Sequence, residues 1–145
     1  MKPEYVNGWR LPDELVGMLA ADRWKTPENG EGMERLGIED VSDLEFLSLE
    51  GMNENTTAMM EMAANGTGAI LGFSSGGESI QEGQLDVTKA VMIAATRGQE
   101  ALCLDYSVSG GPRVVASHFG PGPGPGTWVE IAGSIHDLLG FLKLP

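Results

Sequence analysis

The run Ala90-Val91-Met92-Ile93-Ala94 carries no charge, and Ala101 to Tyr106 follows it after a few polar residues. A strand without polar positions is buried on both faces. The turn centred on Arg97-Gly98-Gln99 is short enough for a hairpin. A chain with this pair in its interior has to build a sheet around it. Gly110-Gly111-Pro112 punctuates a loop before a third strand, Arg113 to Phe119. Gly120 to Gly126 alternates Gly and Pro and reads as a stiff, protruding loop. Thr127 to Ile131 is a fourth strand, alternating in and out. Ser134 stands where an N-cap belongs, with Asp137 three residues on as in a capping box. Ile135, Leu138, Leu139 and Leu142 then form one apolar stripe, with Phe141 beside it. Gly140 weakens that helix by roughly 1 kcal/mol relative to alanine, which suggests close packing at this position.

Upstream the chain is acidic and mostly helical. Leu11-Pro12-Asp13-Glu14 reads as a helix start, since proline is tolerated in the first turn and carboxylates suit the positive end of the dipole. Leu15, Met18 and Leu19 share a face, and Pro27 predicts a stop near Trp24. Trp9 and Trp24 flank this helix as core or rim residues. A helical turn is expected around Met33-Glu34-Arg35-Leu36, ended by Gly37, and a short strand between Asp43 and Leu49. Asn53 or Asn55 would cap a methionine-rich helix that runs to Ala64 and stops at Asn65-Gly66. Ala69 to Phe73 is a further short apolar run, and Ser74 to Gly77 and Glu82-Gly83 are loop punctuation.

The 145 residues fit one domain spanning 1–145. A single cysteine makes no internal disulfide, which fits a reducing cytoplasm. No apolar run is long enough to span a bilayer, and the first residues lack the apolar core of a secretory signal. The net charge of -12 opposes nucleic acid and anionic membranes as partners. The densest acidity is Glu28, Glu31, Glu34, Glu39, Asp40, Asp43, Glu45, Glu50 and Glu54, against Arg35 alone. Such a group is either a solvated face or a docking surface for a basic partner.

Recognisable catalytic grammar is missing. His118 and His136 sit in no nucleophile–base context. Cys103 and the two histidines lack paired metal-ligand spacing. No lysine follows the Gly72 to Gly77 stretch as a phosphate loop requires. No cofactor or metal is expected. Asp105 and Tyr106, at a strand end, have two readings. The aspartate accepts hydrogen bonds from the next turn while the tyrosine packs, or both line a cleft between the sheet and the N-terminal helices.

The order of Ala90 to Ala94, Gly98 to Tyr106, Pro112-Arg113-Val114 and Trp128 to Leu139 resembles the SUKH superfamily, also called Smi/Knr-like. The match is clearest over 88–143. The Leu11-Pro12 helix fits in outline, whereas Gly98-Gln99 departs from the usual turn, as Ile135 and Leu138 do from the usual aromatics. The resemblance implies an α+β fold: a small mixed or antiparallel sheet of at least four strands packed against N-terminal helices and one C-terminal helix. It implies no enzyme activity. Bacterial members are typically immunity proteins that bind and block a toxin, often a nuclease; fungal relatives are regulatory interaction modules in cell-wall synthesis. The expectation is therefore a cytoplasmic interaction protein that blocks a basic toxin through its acidic residues. The alternative is a regulatory module sensing a small ligand in a cleft near Asp105, Tyr106 and Trp128, with Gly98 as a further signature residue.

Overall fold

The structure is a computed structural model and describes residues 2–27, 36, 44–65, 72–74, 83–96, 100–118 and 127–142. A hairpin opens it. Strands β1 (Tyr5–Val6) and β2 (Trp9–Arg10) pair antiparallel across Asn7 (φ 53) and Gly8 (φ 80). Left-handed values at both positions are what a two-residue hairpin turn requires, and Asn-Gly supplies them at low cost.

Helix α1 (Asp13–Ala20) starts where its proline and acids predict. It stops at Ala20, short of Trp24. Asp22 adopts φ 57, and the Arg23 N–H donates to the Met18 carbonyl at 2.8 Å. This left-handed cap closes the helix before Pro27 has any influence.

A two-residue strand, β3 (Glu45–Phe46), lies within the expected Asp43 to Leu49 window. Helix α2 (Leu49–Ala64) then begins earlier than Asn53 or Asn55 would allow. Its cap is Ser48, whose Oγ accepts the Gly51 N–H at 3.1 Å. The two asparagines lie inside the helix, and their amides donate to the carbonyls of Leu49 (3.0 Å) and Gly51 (2.8 Å). Met52, Thr56 and Met59 form the buried face.

Next, β4 (Phe73–Ser74) pairs parallel with β5 (Leu85–Asp86), and a 3₁₀ turn at Val87–Lys89 leads into the main sheet. Strands β6 (Ala90–Ala95), β7 (Ala101–Asp105), β8 (Arg113–His118) and β9 (Thr127–Ala132) follow, then helix α3 (Ile135–Leu142). The five-stranded sheet has the order β3-β6-β7-β8-β9, antiparallel throughout. The fold is α+β.

The predicted hairpin of β6 and β7 lies inside the sheet, and every residue of β7 is buried. Ladder partners define the faces. Val91, Leu104, Val114 and Ala132 line one, and Met92, Cys103, Val115 and Glu130 the other. Helix α2 packs on β6, while α3 packs on β8 and β9 with α1 beside it. Where the β6 ladder shifts register, buried backbone groups find other partners. The Met92 N–H donates to Thr56 Oγ1 at 3.0 Å. The Ile93 carbonyl accepts the Leu47 N–H at 3.0 Å and the Trp24 indole N–H at 3.3 Å. These bonds pin α2 and the segment after α1 to the central strand.

Two further expectations need correction. Strand β9 does not alternate cleanly. Val129 and Glu130 face opposite sides of this edge strand and are both exposed, and the ladder then shifts register between Glu130 and Ala132. Gly140 is not a close-packing site either. It is exposed, and a Cβ added there would meet nothing within 4 Å.

Outside the described residues lie the 33–37 turn apart from the buried Leu36, the 97–99 turn with Gly98, Gly66, the 69–71 run, the loop stretch 75–82 and the 120–126 loop.

Candidate functional site

The strand end is architecture. Asp105 is buried, and both its oxygens are engaged. Oδ1 accepts the Ser107 N–H at 2.9 Å, and Oδ2 accepts Arg113 Nε–H at 2.8 Å. Arg113 also reaches Glu130, at 3.6 Å. Tyr106 follows β7, stacks on Trp9 with ring centroids 4.9 Å apart, and donates its hydroxyl to the Arg10 carbonyl at 2.7 Å. Trp9 in turn donates its indole N–H to the Thr88 carbonyl at 3.0 Å. These contacts fasten the β1–β2 hairpin onto one end of the sheet. Burial pushes the Tyr106 phenol well above its ordinary pKa.

Trp128 is not brought to this end. Asp105 pairs with Arg113 and Trp128 with Ser117. Four residues of β8 separate them, about 13 Å along the strand. Trp128 packs on Phe73 instead, centroids 5.9 Å apart, and its N–H donates to the Gly83 carbonyl. Asp105 and Tyr106 thus stand towards one end of the sheet and Trp128 towards the other, each with its own partners.

Reactive chemistry is poorly represented. Burial, reinforced by the nearby Asp105 charge, pushes the Cys103 thiol well up, which keeps it protonated and unreactive. His136 is exposed, with Nδ1 2.8 Å from Glu14 Oε1, a link between α3 and α1. The His118 side chain lies outside the described part. Among the described residues no three His, Cys, Asp or Glu side chains are grouped to hold a metal, and no helix is long and apolar enough to cross a membrane.

Of the nine acids read as a docking surface, Glu28, Glu31, Glu34, Glu39, Asp40 and Asp43 lie outside the described residues. Glu45, Glu50 and Glu54 are exposed on β3 and α2. Helix geometry adds one the sequence reading omitted. Glu50, Glu54 and Glu61 occupy positions i, i+4 and i+11 of α2, within about 40° of one another around its axis. All three are exposed, and α2 contains no lysine or arginine. They form a single-sign stripe about 16 Å long. The i, i+4 spacing of Glu50 and Glu54 costs the isolated helix a few tenths of a kcal/mol. Glu61 was within reach of the helical period.

A groove with a volume of about 670 Å³ opens beside the first residue of α2, Leu49. Trp24 and Phe46, centroids 4.4 Å apart, and Val16 form its buried floor. Leu19 and Leu49, half-buried, stand as walls. Ala20, Ser48, Glu4, Glu45, Lys2 and the Asp22–Lys25 pair (3.0 Å) complete the lining. The groove joins β3 and the first residue of α2 to α1, so no single stretch of sequence announces it. Comparison with known protein families, with curated proteins and with solved structures finds no match for the chain.

Proposed function

We propose that this chain is a non-enzymatic protein-interaction domain, a cytoplasmic immunity protein that binds and blocks a basic, nuclease-type toxin. The observation that carries the reading is the α2 stripe. Three exposed glutamates share one face of a helix that contains no lysine or arginine, in a chain of net charge -12. A nuclease needs a basic surface to hold its nucleic acid, and an acidic helix face can occupy that surface and exclude the substrate. The Smi/Knr-like resemblance over 88–143 supports the same role.

The test is calorimetric affinity for a toxin domain encoded beside this chain. Reversing Glu50, Glu54 and Glu61 together to lysine is expected to weaken binding at least about tenfold, roughly 1.4 kcal/mol. Raising the salt from about 0.05 to 0.3 M should weaken the parent complex as well. Binding indifferent to both changes removes the electrostatic mechanism. The second reading, a regulatory module that senses a small ligand, is favoured by the groove rather than by the strand end. A ligand specific for the folded state would raise the melting temperature.

A further inference from the structure

A second pocket, which shares no lining residue with the groove, opens between α2 and the turn end of the β6–β7 hairpin, with a volume of about 160 Å³. We infer that it binds a small neutral phenol: one aromatic ring carrying a hydroxyl. This rests on the small-ligand reading above and adds a site and a chemical class.

Size sets the first limit. An apolar cavity of about 150 Å³ holds one benzene ring, so a pocket of this volume admits a single ring. The apolar walls set the second. Met59 and Met62 on α2, Met92 on β6 and Phe73 on β4 supply them. Thioether sulfurs and a phenyl ring favour an aromatic occupant over an aliphatic one of the same size. Two of these walls are held in place: Phe73 by its stack on Trp128, and Met92 by the bond from its N–H to Thr56 Oγ1. Ala58, Ala95 and Ala101 are too short to fill the gap between them.

Polar groups at the lining choose the substituent. Thr96 Oγ1 accepts the Glu100 N–H at 3.2 Å and donates to the Glu100 carbonyl at 3.4 Å. Asn55 Nδ2 donates to the Gly51 carbonyl at 2.8 Å, and no bond among the described residues takes its Oδ1. That oxygen is an acceptor, so it asks for a donor on the occupant. A carboxylate on the ring would meet the Glu100 side chain in a chain of net charge -12. An ammonium would lose its hydration against the methionines. A phenolic hydroxyl donates and stays neutral at pH 7, since phenols titrate near about 10.

The experiment uses the full chain with isotope-labelled methionine methyls, whose NMR shifts are followed during titration with phenol, benzene, cyclohexanol and benzoate. Phenol is expected to move Met59, Met62 and Met92 most among the eight methionines. It should bind at least about threefold tighter than benzene, which one hydrogen bond supplies, and tighter than cyclohexanol. Benzoate should leave the three methyls where they are. Asn55→Leu should bring phenol and benzene within about twofold of each other. Ala58→Phe puts a ring at an exposed lining position and should abolish binding of both. Circular dichroism checks that each variant is folded.

Equal binding of phenol and benzene, or of phenol and cyclohexanol, overturns the inference. So does a phenol preference that survives both Asn55→Leu and Ala58→Phe, or benzoate binding as tightly as phenol. Tighter binding of N-acetyl-tyrosinamide than of phenol overturns it too, by making a partner's tyrosine side chain the occupant. A compound that raises the melting temperature while these three methyls stay still removes this site and leaves the small-ligand reading standing.

Discussion

A carboxylate at a buried strand end is costly unless its oxygens are occupied. Asp105 meets the condition with a turn N–H on one oxygen and an arginine on the other. The first contact is local, and a sequence reader can expect it of an aspartate before a turn. The second joins residues 105 and 113, and only the register of β7 against β8 reveals it. Tyr106 carries a titration consequence. Its folded pKa is raised by burial, whereas an unfolded tyrosine titrates near about 10. Well below that pH both states hold the proton, and the stabilisation is fully present. As pH rises through about 10 the unfolded phenol ionises and the folded one does not, so the unfolded state binds fewer protons and stability falls. Urea melts across about pH 9 to 11 should therefore show a steeper loss for the parent than for Tyr106→Phe. At pH 7 that variant should cost about 0.5–1.5 kcal/mol for the lost bond to the Arg10 carbonyl. Parallel alkaline slopes would show the phenol to be no more protected folded than unfolded.

Helix α3 obeys its sequence at one end and departs from it at the other. Ser134 caps it as read, its Oγ accepting the Asp137 N–H at 3.2 Å. Gly140 faces open space, so the helix bears the entropic cost of glycine without any packing in return. Gly140→Ala should stabilise the protein by about 1 kcal/mol, a rise of about 3 °C in melting temperature by calorimetry. A decrease would mean that something unseen approaches this face. The central hairpin was legible because uncharged runs admit few alternatives. The start of α2 was not, because Ser48, Asn53 and Asn55 are all good caps locally. The choice falls to Ser48 once Met52, Thr56 and Met59 bury their face and Thr56 bonds to β6. Asn7-Gly8 is a local hairpin signal, but the strands it joins have only two residues each, too few to show an alternating pattern. The β9 irregularity had no sequence mark.

The net charge is visible in a residue count; its arrangement is not. Of the nine acids grouped by sequence proximity, the three described ones lie on β3 and α2, and Glu61 joins them only through the helical period. The groove is assembled from the N-terminal segment, α1, the Trp24–Lys25 stretch, β3 and the start of α2, so no local pattern could expose it. One feature of the interior gives the whole molecule a clock. Cys103 is the chain's single cysteine, fully buried on β7 between β6 and β8. A thiol reagent reaches it only when the sheet parts, so the labelling rate counts openings of the core rather than surface events. Stabilisation by about 1 kcal/mol in Gly140→Ala should slow labelling about fivefold if opening is global. Labelling at the rate of a free thiol would mean that β7 is exposed without unfolding. Every variant named above can be ranked with the same reagent, and none of those substitutions touches the reporter.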